Sequence, residues 1–543
     1  MKPIDYIVFL VYFVIVSGYG YWIYRKNRTG QADSKDYFLA EGSLTWWAIG
    51  ASLIASNISA EQFIGTSGSA FALGLAISTY EWMAAATLLV VAIFFIPIYL
   101  KNRIYTMPQF LSQRYNDAVS TIMAVFWLLV YVFVNLSSIL YLGALAVQTV
   151  SGIDFYYCMY GLAIFAIFIT LGGMKVIGYT DVIQVFVLVL GGLATTYLAL
   201  DLVATTLGDG GAWEGLGFLR KEAADHFSMI ISKGELMIPN GQGGTRDAYM
   251  DLPGLSVLIG GMWIVNLNYW GCNQYITQRA LGADLKTARS GLLFAAFLKL
   301  MMPIIVVLPG IAAYVLFKNG QFQTEMANEA GHVIPDHAYP VLLNLLPEGL
   351  KGLSFAALTA AIVASLAGKA NSISTIFTLD IYKKFFNRNA SEKRLVNFGK
   401  LVVVVAFIVA IIVAPVLRNL DQAFQYIQEY TGFISPGVFA IFALGFFWKR
   451  TTASAALVAA VLTIPLSTYL KFQFQEIPFI DRMGIVFLIL VALMVIITLL
   501  DPKSKNNPKG LEIDSSMFKT SSSFAVGAVI ICGILAALYT IFW

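Results

Sequence analysis

Ala51-Ser-Leu-Ile-Ala-Ser-Asn-Ile-Ser-Ala-Glu-Gln-Phe-Ile-Gly65 lies inside an apolar stretch that runs from position 45 to 74. At Ala55 to Gln62 small polar residues interrupt a segment otherwise suited to a helix in lipid. Within a bilayer such an interruption is tolerated only where the backbone is buried in protein or lines a cavity. Two later stretches are broken in the same way. One carries Gly260-Gly261 and Asn266-Leu-Asn-Tyr-Trp-Gly271, and the other carries Gln428-Glu-Tyr-Thr-Gly432 followed by Ser435-Pro-Gly437.

Composition sets the solvent. Of 543 residues, 58% are hydrophobic and 12% charged, against about 45–50% and 25% in soluble domains. The apolar runs approach the ~20 residues a spanning helix needs, and they lack the alternation of a membrane barrel. We read an all-α membrane protein with fourteen spans, at 3–24, 45–74, 78–100, 118–149, 155–173, 178–203, 253–275, 286–317, 351–381, 396–415, 421–448, 452–470, 482–500 and 521–543. The first run is followed by Arg25, Lys26 and Arg28 and reads as a spanning helix rather than a cleaved leader.

Charge orients the chain. With the N-terminus outside, roughly 22 of the 35 Lys and Arg fall at inside connections or adjacent helix ends and about 10 outside, as the positive-inside rule asks. An even number of spans puts both termini outside a cell (inner) membrane. Lys400 lies near a helix end and can snorkel, whereas Lys299 and Lys369 fall deep within spans 8 and 9. A charge there costs roughly 2.5–3.5 kcal/mol, so a partner or a function is expected.

Several function classes are disfavoured. Cys158, Cys272 and Cys532 lie singly in apolar segments and read as packing residues. His226, His332 and His337 fall in polar connections, which leaves an intramembrane zinc hydrolase or a histidine proton relay without ligands. No basic patch suggests nucleic acid, no nucleophile and base show catalytic spacing, and no obligate protein partner is evident. A sensor role would need an appended cytoplasmic domain, whereas the longest connections, Ala204 to Leu252 and Phe317 to Leu350, are expected outside.

The broken spans 2 and 7 are five apart. Because five is odd, two five-helix units beginning there run oppositely through the membrane, which is the inverted-repeat plan of secondary transporters with substrate and ion at the midplane. The expected division is 1–44, a leading helix and inside loop; 45–203, the first repeat; 204–252, an outside connection; 253–448, the second repeat, including an outside connection at 318–350; and 449–543, three trailing helices.

A small polar solute presents groups that donate and accept hydrogen bonds, often beside an apolar face. Its site therefore needs carboxylate, amide and ammonium groups beside an aromatic plate. Within its spans the chain offers Gln62, Glu81, Asn266, Lys299 and Gln428, with Tyr269 and Trp270 adjacent. Glu81 and Lys299 can equally form a structural ion pair, and the amides can equally bond between helices.

The quoted stretch, with Tyr80-Glu-Trp-Met83, Asn266 to Arg279, Phe294-Ala-Ala-Phe-Leu-Lys-Leu300, Ser372 to Tyr382 and Ala423-Phe-Gln-Tyr-Ile-Gln-Glu-Tyr-Thr-Gly432, resembles the sodium/solute symporters of the sodium/glucose cotransporter type, over nearly the whole chain. The resemblance implies a LeuT-like five-plus-five core with one helix before it and three after. It implies import of a hexose or cyclitol with sodium as coupling ion and no other cofactor. Gln62, Glu81, Asn266, Lys299 and Gln428 would then bond sugar hydroxyls, and Tyr269 would stack on the ring as an inner gate. Tyr80 and Phe424 would belong to an outer gate, and Trp270 is a further gating candidate. Two positions depart from the galactose-transporting pattern: Ala84 replaces a serine and Thr66 a methionine.

The resemblance also assigns sodium to the carbonyls of Ala55, Ile58 and Ala361 and to two adjacent serine hydroxyls, which here read Ala364-Ser365. Lys369 follows Ser365 by one turn on the same helical face. Three readings stay open for Lys369: an ion pair with Asp181, a position whose counterpart in the family lies along the ion's exit route; a lysine in a wet vestibule with no role; and an ammonium that takes the place of sodium in a proton-coupled or sodium-independent carrier.

Overall fold

A computed structural model describes residues 2–26, 45–104, 106–171, 174–239, 244–327, 331–419 and 423–543. Ten of its helices are long and apolar enough to cross a membrane, and up to twelve if each bent pair counts as one span. The expected fourteen is not reached on that measure, for a physical reason. Span 2 is divided into pieces of 12, 6 and 7 residues, and span 5, Phe155–Thr170, has only 16. The protein is multi-pass and helical. Its only strands among the described residues form a short hairpin, Met237–Pro239 with Thr245–Asp247, in the connection after span 6.

The break in span 2 is where the sequence places it. Helix Trp46–Asn57 stops at Ile58, whose backbone is extended at φ −74° and ψ 91°. The chain resumes as a π-helical segment, Glu61–Thr66, and then as Ser67–Leu73. Span 7 bends by 79° between Ile259 and Gly261, so the kink is at Gly260. Asn266 and its neighbours instead ride on one continuous helix, Gly261–Gly271, which ends at Cys272. Asn273 then caps the next helix, accepting from the Tyr275 amide at 3.1 Å. Span 11 bends by 49° between Phe424–Thr431 and Ser435–Phe447, with Pro436 in the first turn of the second piece, where its missing N–H leaves no bond unmade.

These pieces are held by unbroken helices. Leu285–Lys318 lies along both halves of span 2, and a side chain at its Gly310 would collide with the Ser67 carbonyl. Leu350–Thr375 packs against Met174–Leu207 and the leading helix Pro3–Lys26, with Phe9 and Phe355 rings 5.4 Å apart. A second π-helical segment, Val130–Leu136, interrupts span 4. Such segments shift side-chain register locally and are frequent at functional sites. The connection after span 6 folds back onto the helix ends: His226 stacks on Tyr314 at 4.0 Å, and the Met229 amide donates to the Phe542 carbonyl at 2.7 Å.

Gly74 turns the chain from span 2 into span 3 at φ 67° and ψ −148°, a region essentially closed to other residues. A Cβ there would also meet the His226 backbone. Gly74→Ala is therefore expected to lose about 1–3 kcal/mol, read as a fall in the thermal unfolding midpoint in detergent. Gly217→Ala, in the open helix Ala212–Glu222, is expected to leave that midpoint unchanged or raise it, because a mid-helix glycine loses roughly 0.5–1 kcal/mol relative to alanine.

Candidate functional site

Where the broken helices meet, they enclose a cavity of about 60 Å³. Glu61 and Gln62 reach it from the π-helical segment of span 2, and Tyr80, Glu81 and Ala84 from helix Thr79–Val90. Asn266, Tyr269 and Trp270 come from span 7, Lys299 from span 8, and Phe424 and Gln428 from the first piece of span 11. All six residues expected to touch substrate, and all three expected gates, thus border one space. Thr66 does not; its hydroxyl turns back to the Glu61 carbonyl at 3.4 Å.

The cavity is organised by charge. Lys299 and Glu81, 1% and 2% exposed, form a direct ion pair. The same ammonium donates to the Asn57 Oδ1 and lies 5.2 Å from the Trp270 ring centroid. Asn57 Nδ2 donates onward to the Tyr269 hydroxyl at 3.2 Å. A chain of contacts therefore runs Glu81, Lys299, Asn57, Tyr269 and ties spans 3, 8, 2 and 7 together. Asn57 is absent from the sugar contacts expected from sequence. It is one of two amides within the quoted break, with Gln62, and sits at the last helical position before the chain opens; order along the chain does not tell which of the two meets Lys299.

Other groups are placed to receive a ligand. The Gln62 Oε1 and the Tyr80 hydroxyl are buried with no hydrogen-bond partner among the described residues. Asn266 commits its amide to its own helix, donating to the Met262 carbonyl at 3.1 Å. Tyr80 and Phe424, both bordering the cavity, meet edge to face, 5.1 Å between centroids and 87° between planes. Small-molecule sites run to about 300–1,000 Å³, so this cavity is drawn in around its own bonded side chains. A solute that needs such a volume enters only if Lys299, Asn57 and the aromatic walls move apart.

Below the cavity the backbone opens. Ile58 N–H bonds to the Ile54 carbonyl at 2.6 Å, and the Gln62 and Phe63 amides resume the ladder at the Ser59 carbonyl. Among the described residues no backbone N–H reaches the Ala55 or Ile58 carbonyl. Ser365 Oγ, on helix Leu350–Thr375, is wholly buried and also without a partner there, one turn beyond Ala361. Two carbonyls and a hydroxyl are hard oxygen donors, the kind an alkali cation takes.

The expected ion pair between Lys369 and Asp181 is not formed. Asp181 Oδ2 accepts from Ser52 Oγ at 2.9 Å, and that hydroxyl accepts in turn from Arg279 Nε at 2.9 Å. Arg279 therefore supplies the nearby positive charge, through a serine none of the sequence motifs singled out for this role. Lys369 instead lies over the Tyr275 ring, 4.3 Å from its centroid, and the neighbouring Gly368 packs on Tyr275 and Arg279. The Lys369 ammonium donates to the Asn135 Oδ1 at 3.2 Å and borders the cavity.

Removing one member of a buried pair strands the other's charge, at about 3–5 kcal/mol, whereas removing both is far milder. Glu81→Gln and Lys299→Met are each expected to lower thermal stability in detergent. The double variant should lose clearly less than the two losses added, and strict additivity would show that the pair is not coupled.

Comparison with known proteins places these features. The chain is 47% identical over 547 residues to a sodium/glucose cotransporter of Vibrio parahaemolyticus, covering 99% of this chain and 98% of that one. It is 36% identical to the human sodium/myo-inositol cotransporter 2, over 84% of this chain and 68% of the relative. Among solved structures, a Na+-coupled sialic acid symporter in a substrate-bound, outward-open state superposes with a TM-score of 0.77 at 24% identity, over 92% of this chain and 98% of that one; this likeness shows the fold. The model of the sodium:solute symporter family matches residues 37–463, and the chain belongs to that family.

Proposed function

We propose that this protein is a secondary active symporter that imports a neutral sugar or cyclitol, galactose- or glucose-like, with sodium, by alternating access. The observation that carries the reading is the buried Glu81–Lys299 pair, set among amides and aromatic rings at the junction of three broken helices. One anion and one cation in contact leave that part of the site neutral, while each offers charge-assisted bonds to hydroxyls. Tyr269 and Trp270, with ring centroids 5.2 Å apart, supply the apolar face a pyranose or cyclitol ring needs. The relatives named as glucose and myo-inositol cotransporters support this solute class.

Sodium is the coupling ion of the family to which the chain belongs. Here the Ala55, Ile58 and Ala361 carbonyls with the Ser365 hydroxyl are the proposed ligands, and Ala364 withholds a second hydroxyl. That Lys369 points toward Asn135 and the cavity favours sodium keeping its own site over an ammonium standing in for it. Alternating access follows from the cavity's position. Tyr80 and Phe424 close it on one side and Tyr269 borders it on the other, so movement of the broken helices exposes it to each side in turn.

The driving force is bounded by physics. A potential of 100 mV contributes about 2.3 kcal/mol per charge and a tenfold sodium gradient about 1.4 kcal/mol. One sodium per solute then supports roughly several-hundredfold accumulation.

Proteoliposomes given labelled glucose, galactose, myo-inositol or an amino acid, in sodium, potassium or acidic buffer, test the proposal. Uptake of at least one sugar or inositol is expected in sodium alone. Uptake indifferent to sodium but raised by acid would refute the coupling, and transport of the amino acid alone would refute the solute. Gln62→Ala, which removes a buried amide without touching the ion pair, should raise the half-saturating sugar concentration roughly two- to tenfold, the effect of one lost hydrogen bond of about 0.5–1.5 kcal/mol.

A further inference from the structure

Lys369 forms no ion pair among the described residues, although it is only 3% exposed. It is held by neutral groups. Its Nζ donates to Asn135 and lies 4.3 Å from the ring centroid of Tyr275 and 5.0 Å from that of Tyr131. A desolvated ammonium over aromatic faces is stabilised by the negative potential of the rings, so the cage holds a cation without neutralising it. The carboxylate of Glu61 borders the same cavity, and its Oε1 is buried without a partner among the described residues. Both framing elements are π-helical: Glu61 begins one such segment, and Tyr131 and Asn135 lie in the other. The two groups thus face one space as an unbonded charge pair, separate from Glu81 and Lys299.

Tyr275 joins this cage to the proposed ion site. One face of its ring meets Lys369, while its hydroxyl donates to the Ser56 carbonyl at 2.7 Å, between the Ala55 and Ile58 carbonyls in sequence. Ser365 lies one helical turn from Lys369 on the same face. The ammonium is therefore within about 10 Å of any cation bound there. At that range, and at an effective dielectric near 20, repulsion between two unit charges is worth roughly a tenfold change in affinity.

We infer that Lys369 is a tethered cation that sets how tightly the coupling ion is held, with Glu61 as its counter-charge. This rests on the sodium reading above and adds to it a residue that borders the cavity and is not among the proposed ion ligands. Repulsion from Lys369 weakens the sodium site and Glu61 offsets part of that weakening. A site weakened in this way lets go of its ion more readily once it opens to the inside. The cage keeps the ammonium from folding into the ion site and replacing its occupant.

Neutralising each partner tests the inference, because the two substitutions must act in opposite directions. The half-saturating sodium concentration is measured twice: from sugar uptake into proteoliposomes, and from the sodium-dependent rise in thermal midpoint of the purified protein without sugar. Lys369→Met is expected to lower it at least threefold, Lys369→Arg to leave it within twofold, and Glu61→Gln to raise it at least threefold. Unchanged or weaker sodium binding in Lys369→Met overturns the inference, as do shifts of the same sign in the two neutralised variants, the pattern that general damage produces. If Lys369→Met does not fold, an unchanged value in Glu61→Gln overturns it and the threefold rise supports it. A wild-type protein that responds to sodium in neither measurement overturns the sodium reading itself and this inference with it; a sodium-responsive wild type with unmoved variants overturns only the inference.

Discussion

A chain crossing hydrocarbon has no water to satisfy its amides, so every departure from helix must be covered by protein or open onto a polar space. That constraint shapes this molecule. Spans 2, 7 and 11 each depart from helix at Ile58 and Ser59, at Gly260 and at Gly432 to Ile434, and the rest of the fold encloses those departures. The long helix Leu285–Lys318 and the helix Leu350–Thr375 remain continuous and carry the two deep lysines. Rigid helices deliver the charges, and broken ones deliver carbonyls and amides to meet them.

The two lysines answer the cost of burial differently. Lys299 meets a carboxylate, an amide oxygen and an indole face, and the network it anchors crosses four spans. Lys369 meets an amide oxygen and tyrosine faces only. A bonded pair is electrically quiet beyond its own neighbourhood, whereas an unbonded ammonium in low dielectric is felt at a distance. A third arrangement, Asp181 with Ser52 and Arg279, ties span 6 to the first piece of span 2 and to the helix Gln274–Leu281 that follows span 7. The protein thus keeps three buried charge centres apart by routing each through a different polar relay.

Much of this was legible in the order of residues. Composition and apolar runs required helices in lipid. Polar residues inside such runs marked spans 2, 7 and 11 as broken, because hydrocarbon does not solvate them and only a cavity or a protein-covered backbone does. The polar residues that line the cavity were legible as the rare polar side chains left within spans. Asn57 escaped because nothing in a linear string tells which of several polar residues at a break faces inward. Gly260 rather than Asn266 carries the kink of span 7 because the outcome depends on what each residue packs against; Gly261 lies against the Ile480 carbonyl, leaving no room for a straight helix with side chains there.

Solvent, helical class, family pattern and the places where helices fail were all set by residue order alone, since they follow from local polarity and backbone satisfaction. The pairing of charges was set by packing. Whether Asp181 finds Lys369 or Arg279 depends on which helix faces meet: here Arg279 reaches Asp181 through Ser52, while Lys369 donates to Asn135 at the cavity. Coulomb attraction acts over distances that only the packed helices set, and for that reason the assignment of charges to one another could not be read from their order along the chain.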